Sequence, residues 1–299
     1  MFVETRKQGK KIKFYLVHTY RVGKKVKRIS RYLGSNLNEK TLNKLKKRAE
    51  EIINQQLSQD ILATELSDEE IKYYNKFESK IKVFHLQKKD WQKFTKEFTY
   101  NTNAIEGSTV DYSEVVDLLE HKEKPTSDDE QETINVAEAV KYIKTTKEKL
   151  SLQLITKLHK ICFNKTKSFA GNFRKVNVVI KDGRGNIVHQ GAPPNEIIEL
   201  LEEFIEWYKK YKRKYPVLFL AAVVHNQFEK IHPFQDGNGR VGRLLLNYIL
   251  LKHKHPPINI RLEDRGKYYE SLQKYDSTGD LKKTLRFLIM QFRKSYKKR

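Results

Sequence analysis

Residues 217–250 read VLFLAAVVHNQFEKI HPFQDGNGRVGR LLLNYIL, and this stretch decides the fold. Two apolar segments with helical periodicity flank a short glycine-rich loop, His232 to Arg243. A pair of buried helices therefore presents the loop, with Arg240 and Arg243 in the first turn of the second helix. Free N–H groups at a helix start, with glycines that let a ligand approach closely, make an anion site. Arginines there oppose the helix dipole unless an anion offsets them, and their guanidinium forks suit phosphate oxygens. Asp236 offers a hard carboxylate for Mg²⁺, and His232 can take a proton from an attacking hydroxyl. These residues together describe a phosphate-handling centre with a general base. Three other motifs overlap the loop and fail. Gly237 to Gly242 fits a dinucleotide fingerprint but follows a helix, not a strand. A calcium loop would need Glu where Asn247 stands, and His225 with His232 lacks further metal ligands.

Outward from the loop, helical patterns occur at about 131–147, 151–164, 194–212, 216–230, 240–253 and 265–276, with a last one after Asp280. Val176 to His189 breaks the run as a β-hairpin around Asp182-Gly183-Arg184-Gly185-Asn186. Upstream, residues 12–33 alternate as a second hairpin turning at Val22-Gly23-Lys24, which must gain a strand or dock on something to be stable. Leu42, Leu45, Ala49, Ile52 or Ile53, and Leu57 mark an amphipathic helix from Glu39. Ser67-Asp68-Glu69-Glu70 reads as a capping box for a helix through about His85. Asp90 reads as the cap of a helix through Trp91, Phe94 and Phe98 that ends near Glu106-Gly107. His121 to Glu132 reads as a loop. The fold class is mainly α, a helical bundle with one hairpin, preceded by a small basic β-hairpin and helix module. The expected domains are 1–60, 61–130 and 131–299. Trp207 and Tyr211 read as core or interface, Cys162 as buried and inert, and Arg293 to Arg299 as a solvated tail.

The chain of 299 residues carries a formal charge of +23, from 60 Lys and Arg against 37 Asp and Glu. Residues 1–50 hold 16 of the bases and 3 of the acids, a block that suggests nucleic acid as a partner of residues 1–60. One cysteine excludes an intramolecular disulfide framework and a multi-cysteine zinc site. No secretory leader or spanning segment is visible, so the expectation is a soluble cytoplasmic protein without a membrane partner.

HPFQDGNGRVGR matches the Fic-domain signature HPFx(D/E)GNGRxxR at every defined position, and HNQFEKI, AGNFRKVNVVI and LLLNYILLKHKHPP resemble the sequence around it. The resemblance covers about residues 90–290. It implies a Fic-type helical bundle and a protein adenylyltransferase, which moves AMP from Mg·ATP to a Ser, Thr or Tyr hydroxyl. By that resemblance His232 is the base and Asp236 holds Mg²⁺. Gly237, Asn238 and Gly239 cradle the α- and β-phosphates, Arg240 and Arg243 meet the β- and γ-phosphates, and Phe234 anchors the loop. Val178, Val179 and Ile180 lie in the family's flap, which docks the target by strand addition. Doc-like relatives, which transfer the γ-phosphate, have lysine where Gly239 stands; phosphocholine transfer is a rarer family activity. Thr102-Asn103-Ala104-Ile105-Glu106-Gly107 resembles the family's inhibitory motif (S/T)xxxE(G/N), which implies that Glu106 pairs with Arg243 and that removal of AMP is a further activity to consider. The implied partners are ATP and a protein hydroxyl, the chain's own included, with a homodimer considered. A nucleic-acid-binding regulator acting through the basic module is the alternative from another class.

Overall fold

The computed structural model describes residues 1–9, 11–22, 25–58, 66–79, 86–181 and 187–296. The chain divides into two compact units, Met1–Ala63 and Thr64–Arg299.

The first unit is an antiparallel sheet of β1 (Phe2–Gln8), β2 (Lys11–Val22) and β3 (Lys25–Ser35), in that spatial order. It is followed by α1 (Glu39–Ser58). Alternation along β2 and β3 puts Phe14, Leu16, Ile29 and Leu33 on the face that packs against Ala49 and Ile53 of α1. Ile53 is buried and Ile52 is exposed, which settles the helix face between the two. The expected 12–33 hairpin gains its third strand from β1, an edge strand whose one buried face, starting at Val3, leaves little alternation to read. Gly23 and Lys24 of the expected turn and the Leu57 side chain lie outside the described residues.

The second unit is helical, and its central helices carry the glycine-rich loop. In order come α2 (Asp68–Ser79), α3 (Lys88–Ile105), α4 (Tyr112–Val116) with a π-turn at Asp117–His121, α5 (Asp128–Thr145) and α6 (Leu152–Cys162). A two-stranded hairpin of β4 (Val179–Lys181) and β5 (Ile187–Gln190) follows. Then come α7 (Ile197–Tyr211), α8 (Val217–Ile231), α9 (Asn238–Lys252), α10 (Arg265–Thr278) and α11 (Lys282–Tyr296). Every residue of α8 from Leu218 to Phe228 is buried, as is α9 from Arg240 to Leu250, the burial of a central helix pair whose few polar side chains are enclosed with the apolar ones.

Several sequence expectations change. Asp90 is not the cap of α3: it stands three residues inside, its carboxylate accepting the Gln87 N–H at 2.9 Å. The loop expected through Glu132 stops at Ser127, whose hydroxyl accepts the Glu130 N–H and starts α5 three residues early. The Ser67–Glu70 box is present in both directions, but α2 is described only to Ser79; residues 80–85 lie outside the described chain. Arg293 to Tyr296 are not tail but the end of α11, where Lys294 pairs with Asp264 and Tyr296 donates to the Pro257 carbonyl. No helix among the described residues is long and apolar enough to cross a membrane.

Candidate active site

α8 ends where Pro233 stops helical continuation, and His232 turns the chain with a left-handed backbone, φ 52° and ψ 60°. A non-glycine residue pays for that conformation, and here other groups hold it in place. The Arg174 guanidinium, itself buried, donates from Nε to the His232 carbonyl at 2.7 Å and from Nη2 to Ile231 and Ala192; Nη1 donates to Val176. It thus ties both ends of the β4–β5 hairpin to the end of α8. His232 Nδ1 donates to the Glu229 carbonyl at 3.4 Å. Burial pushes this imidazole down to about 3, with nearby His189 and Arg174 adding to the effect, so at neutral pH it is the uncharged, proton-accepting form.

Beyond His232 the loop is pinned from below. Phe234 is fully buried, and the His159 ring stacks on it with centroids 3.8 Å apart. His159 Nδ1 accepts the Gly171 N–H, and its Nε2 donates to the Asp236 carbonyl at 3.1 Å. Asn238 spends its amide on Phe234, accepting from its N–H and donating to its carbonyl, both at 2.9 Å. Asn238 therefore shapes the loop from beneath. Gly237 has φ 79° and lies so close to Phe163 that a Cβ would sit 2.1 Å from the ring. With Gly237 as cap, α9 opens with the N–H groups of Asn238, Gly239 and Arg240 at its N-terminus, the anion-facing end. The Asp236 side chain is half exposed: one oxygen accepts the Gly237 N–H, and the other stands 3.8 Å from Arg240 Nη2.

Both arginines are buried and paired. Arg240 binds Glu132 of α5 and lies over the Phe163 ring. Arg243 donates from Nε to the Thr102 hydroxyl at 2.7 Å and from Nη2 to the Thr102 carbonyl at 3.0 Å and Glu106 Oε1 at 2.6 Å. Burial opposes its charge, but Glu106, Tyr268 and Glu229 hold its pKa above the usual value. Glu106 sits at the end of α3, where Gly107 at φ 97° ends the helix. A Cβ on Gly239 would meet the Glu106 carboxylate at 2.1 Å, so the acid lies against the loop itself. The expected Thr102–Gly107 motif and the loop are thus brought together. His225 is structural, its Nε2 sharing a hydrogen with the Tyr268 hydroxyl at 3.0 Å. Cys162 is buried, and burial pushes its thiol up to about 12.

Residues 149–250 match the Fic/DOC family model. The Fic/DOC match is confined to those residues. A protein adenylyltransferase Fic of Nematostella vectensis is 32% identical over 199 residues, covering 63% of this chain and 45% of the relative. One of Aedes aegypti is 31% identical over 199 residues, covering 63% and 38%. The chain spans less than half the length of these curated relatives. A Fic domain containing signaling protein of Bacteroides thetaiotaomicron has TM-score 0.63 at 26% identity, over 75% of this chain and 93% of that one. Fic-1 of C. elegans has the same TM-score at 22% identity, over 87% and 76%, a likeness of fold.

The residues expected as the flap lie in and beside the β4–β5 hairpin. Val179 and Ile180 are exposed, and Val178 is half-buried with its carbonyl accepting the Gly191 N–H. Sequence reasoning did not single out Arg174, His159 or Glu132. Arg174 stood inside a stretch already matched to the family, and Glu132 was assigned to a loop. Their roles depend on carbonyls, rings and charges from distant segments, which no local pattern reveals.

Proposed function

We propose that the Fic domain transfers AMP from ATP to a Ser, Thr or Tyr hydroxyl of a protein and is restrained by Glu106. The observation that carries the reading is an uncharged His232 at the end of α8, next to the anion-facing start of α9. The printed names of the similar animal proteins support it. His232 takes the hydroxyl proton, the oxygen attacks the α-phosphorus, and the bond to the β-phosphate breaks as pyrophosphate leaves. Positioning and charge neutralisation supply the acceleration. The start of α9 receives the α- and β-phosphates, Arg240 the β-phosphate after parting from Glu132, and Arg243 the γ-phosphate.

Magnesium uses few protein ligands when phosphates supply the rest, and Asp236 fits: its outer oxygen has no partner closer than 3.8 Å. Among the described residues no cluster of three or more metal-ligating side chains competes for a metal. Bound there, Mg²⁺ would neutralise charge on the phosphate oxygens. Glu106 occupies the guanidinium edge that the γ-phosphate would use, which supports the restraint by Glu106. The chain's own hydroxyls are candidate acceptors.

Glu106→Gly is expected to raise incorporation from α-labelled ATP by tenfold or more, and adding His232→Ala to abolish it. Label arriving only from γ-labelled ATP would replace this reading with phosphoryl transfer, which Gly239 disfavours.

A further inference from the structure

The returning strand of the flap brings a second imidazole to the reaction centre. His189 stands in β5 opposite Ile180, and its ring centroid lies 5.5 Å from that of His232. Its Nδ1 is 2.9 Å from Asp276 Oδ2 on α10. An ionised carboxylate accepts and cannot donate, so Nδ1 carries a proton, and with one proton on the ring Nε2 keeps its lone pair. That nitrogen is buried with no hydrogen-bond partner among the described residues. A buried acceptor in that condition calls for a donor from outside.

We propose that His189 is a positioning residue for the acceptor protein: its Nε2 accepts a main-chain N–H from the segment that carries the target hydroxyl, setting that hydroxyl beside His232. The inference rests on the adenylyl-transfer reading. Elimination among the reacting groups leads to it. Phosphate oxygens of ATP only accept, so they cannot satisfy a bare Nε2. The target hydroxyl has one proton, which goes to His232. Peptide N–H groups remain, together with the nucleoside's own donors, the ribose hydroxyls and the adenine amino group. The surroundings of His189 favour the peptide: Val179, Ile180 and Ile187 are 42%, 42% and 54% exposed on a two-stranded hairpin. An apolar, open-edged hairpin suits an extended polypeptide better than a sugar.

The experiment uses the full chain with Glu106→Gly. Transfer from α-labelled ATP to a copy bearing Glu106→Gly and His232→Ala is measured against acceptor concentration, and Mg·ATP binding by calorimetry. His189→Phe keeps a ring and removes both nitrogens; the acceptor KM should rise about tenfold, the loss of one directed hydrogen bond, with the Kd for Mg·ATP unchanged. His189→Gln retains an acceptor and should recover most of the loss. Weakened Mg·ATP binding at unchanged acceptor KM would assign the donor to the nucleotide and overturn the proposal, as would equal loss in the Phe and Gln variants. ¹⁵N spectra of the imidazoles should show His189 protonated on Nδ1 alone and Asp276→Ala losing that preference. A ring protonated on both nitrogens at neutral pH removes the acceptor and also overturns it. A Glu106→Gly chain with native His189 that transfers no AMP overturns the adenylyl-transfer reading and this proposal together; failure of the proposal alone leaves that transfer intact.

Discussion

Gly237 and Gly107 illustrate how alike two residues can look in sequence and how differently they are held. Both have positive φ, 79° and 97°. At Gly107 a Cβ would meet nothing within 4 Å, whereas at Gly237 it would lie 2.1 and 2.2 Å from two ring carbons of the buried Phe163. Gly107→Ala should therefore cost only the backbone strain, about 1 kcal/mol. Gly237→Ala adds a steric conflict with a packed ring and should cost about 3 kcal/mol or more. Thermal melts check this: the Gly237 variant should lose about 6 °C or more and the Gly107 variant a few degrees. The need for glycine in the loop was legible from the anion site. The reason at Gly237 was not, because Phe163 is far away in sequence. His232, Asp236, Arg240 and Arg243 were legible in the same way, by type and spacing. Their partners Arg174, His159 and Glu132 belong to other segments and emerge only on folding.

α8 shows what one element owes to the rest of the chain. Its apolar face was readable from Val217 to Phe228, and its ends fell within a residue of expectation. Its N-terminus, however, has no cap of its own, since Pro216 offers no side-chain acceptor. Glu78, from α2, supplies one: its carboxylate accepts the Val217 N–H at 3.1 Å and the Leu218 N–H at 2.7 Å. Burial pushes the Glu78 pKa up even though those two N–H groups pull it down. Glu78→Ala should cost about 1–2 kcal/mol, the usual worth of a helix cap near a dipole. Chemical unfolding should show a lowered midpoint with an unchanged slope. Elements without strong periodicity escaped the reading: the edge strand β1, the five-residue α4 and its π-turn. They are short, and packing against neighbours rather than their own pattern defines them.

Across the whole chain, buried histidines couple stability to pH. Burial pushes His159 down to about 4 and His225 and His232 to about 3, from 6.5 in the unfolded chain. Below 6.5 the unfolded chain binds three protons that the folded chain refuses, so their stabilisation is present above 6.5 and lost as pH falls towards 3. Glu229 acts oppositely: burial pushes it up to about 8, so its contribution is complete below 4.5 and lost as pH rises through 8. Between pH 6 and 4.5 these three histidines outweigh Glu229 by two protons, a slope of up to ~3 kcal/mol per pH unit, to which the burial-lowered His253 and His255 add and which the burial-raised Glu78 opposes. Urea midpoints at pH 7, 6 and 5 should fall in that order; a flat series would mean that these rings are not held neutral. The sequence by itself determined the helical class, the basic character of residues 1–50 and the loop between two buried helices that matches the Fic/DOC family, because periodicity, charge and motif are local properties. Tertiary structure alone decided that Arg243 meets Thr102 and Glu106, that Arg174 fastens the β4–β5 hairpin to His232, and that the His189 ring stands 5.5 Å from that of His232. Those contacts join residues 58 to 141 positions apart, or more than 40 across the hairpin, and only the packed core brings them within reach.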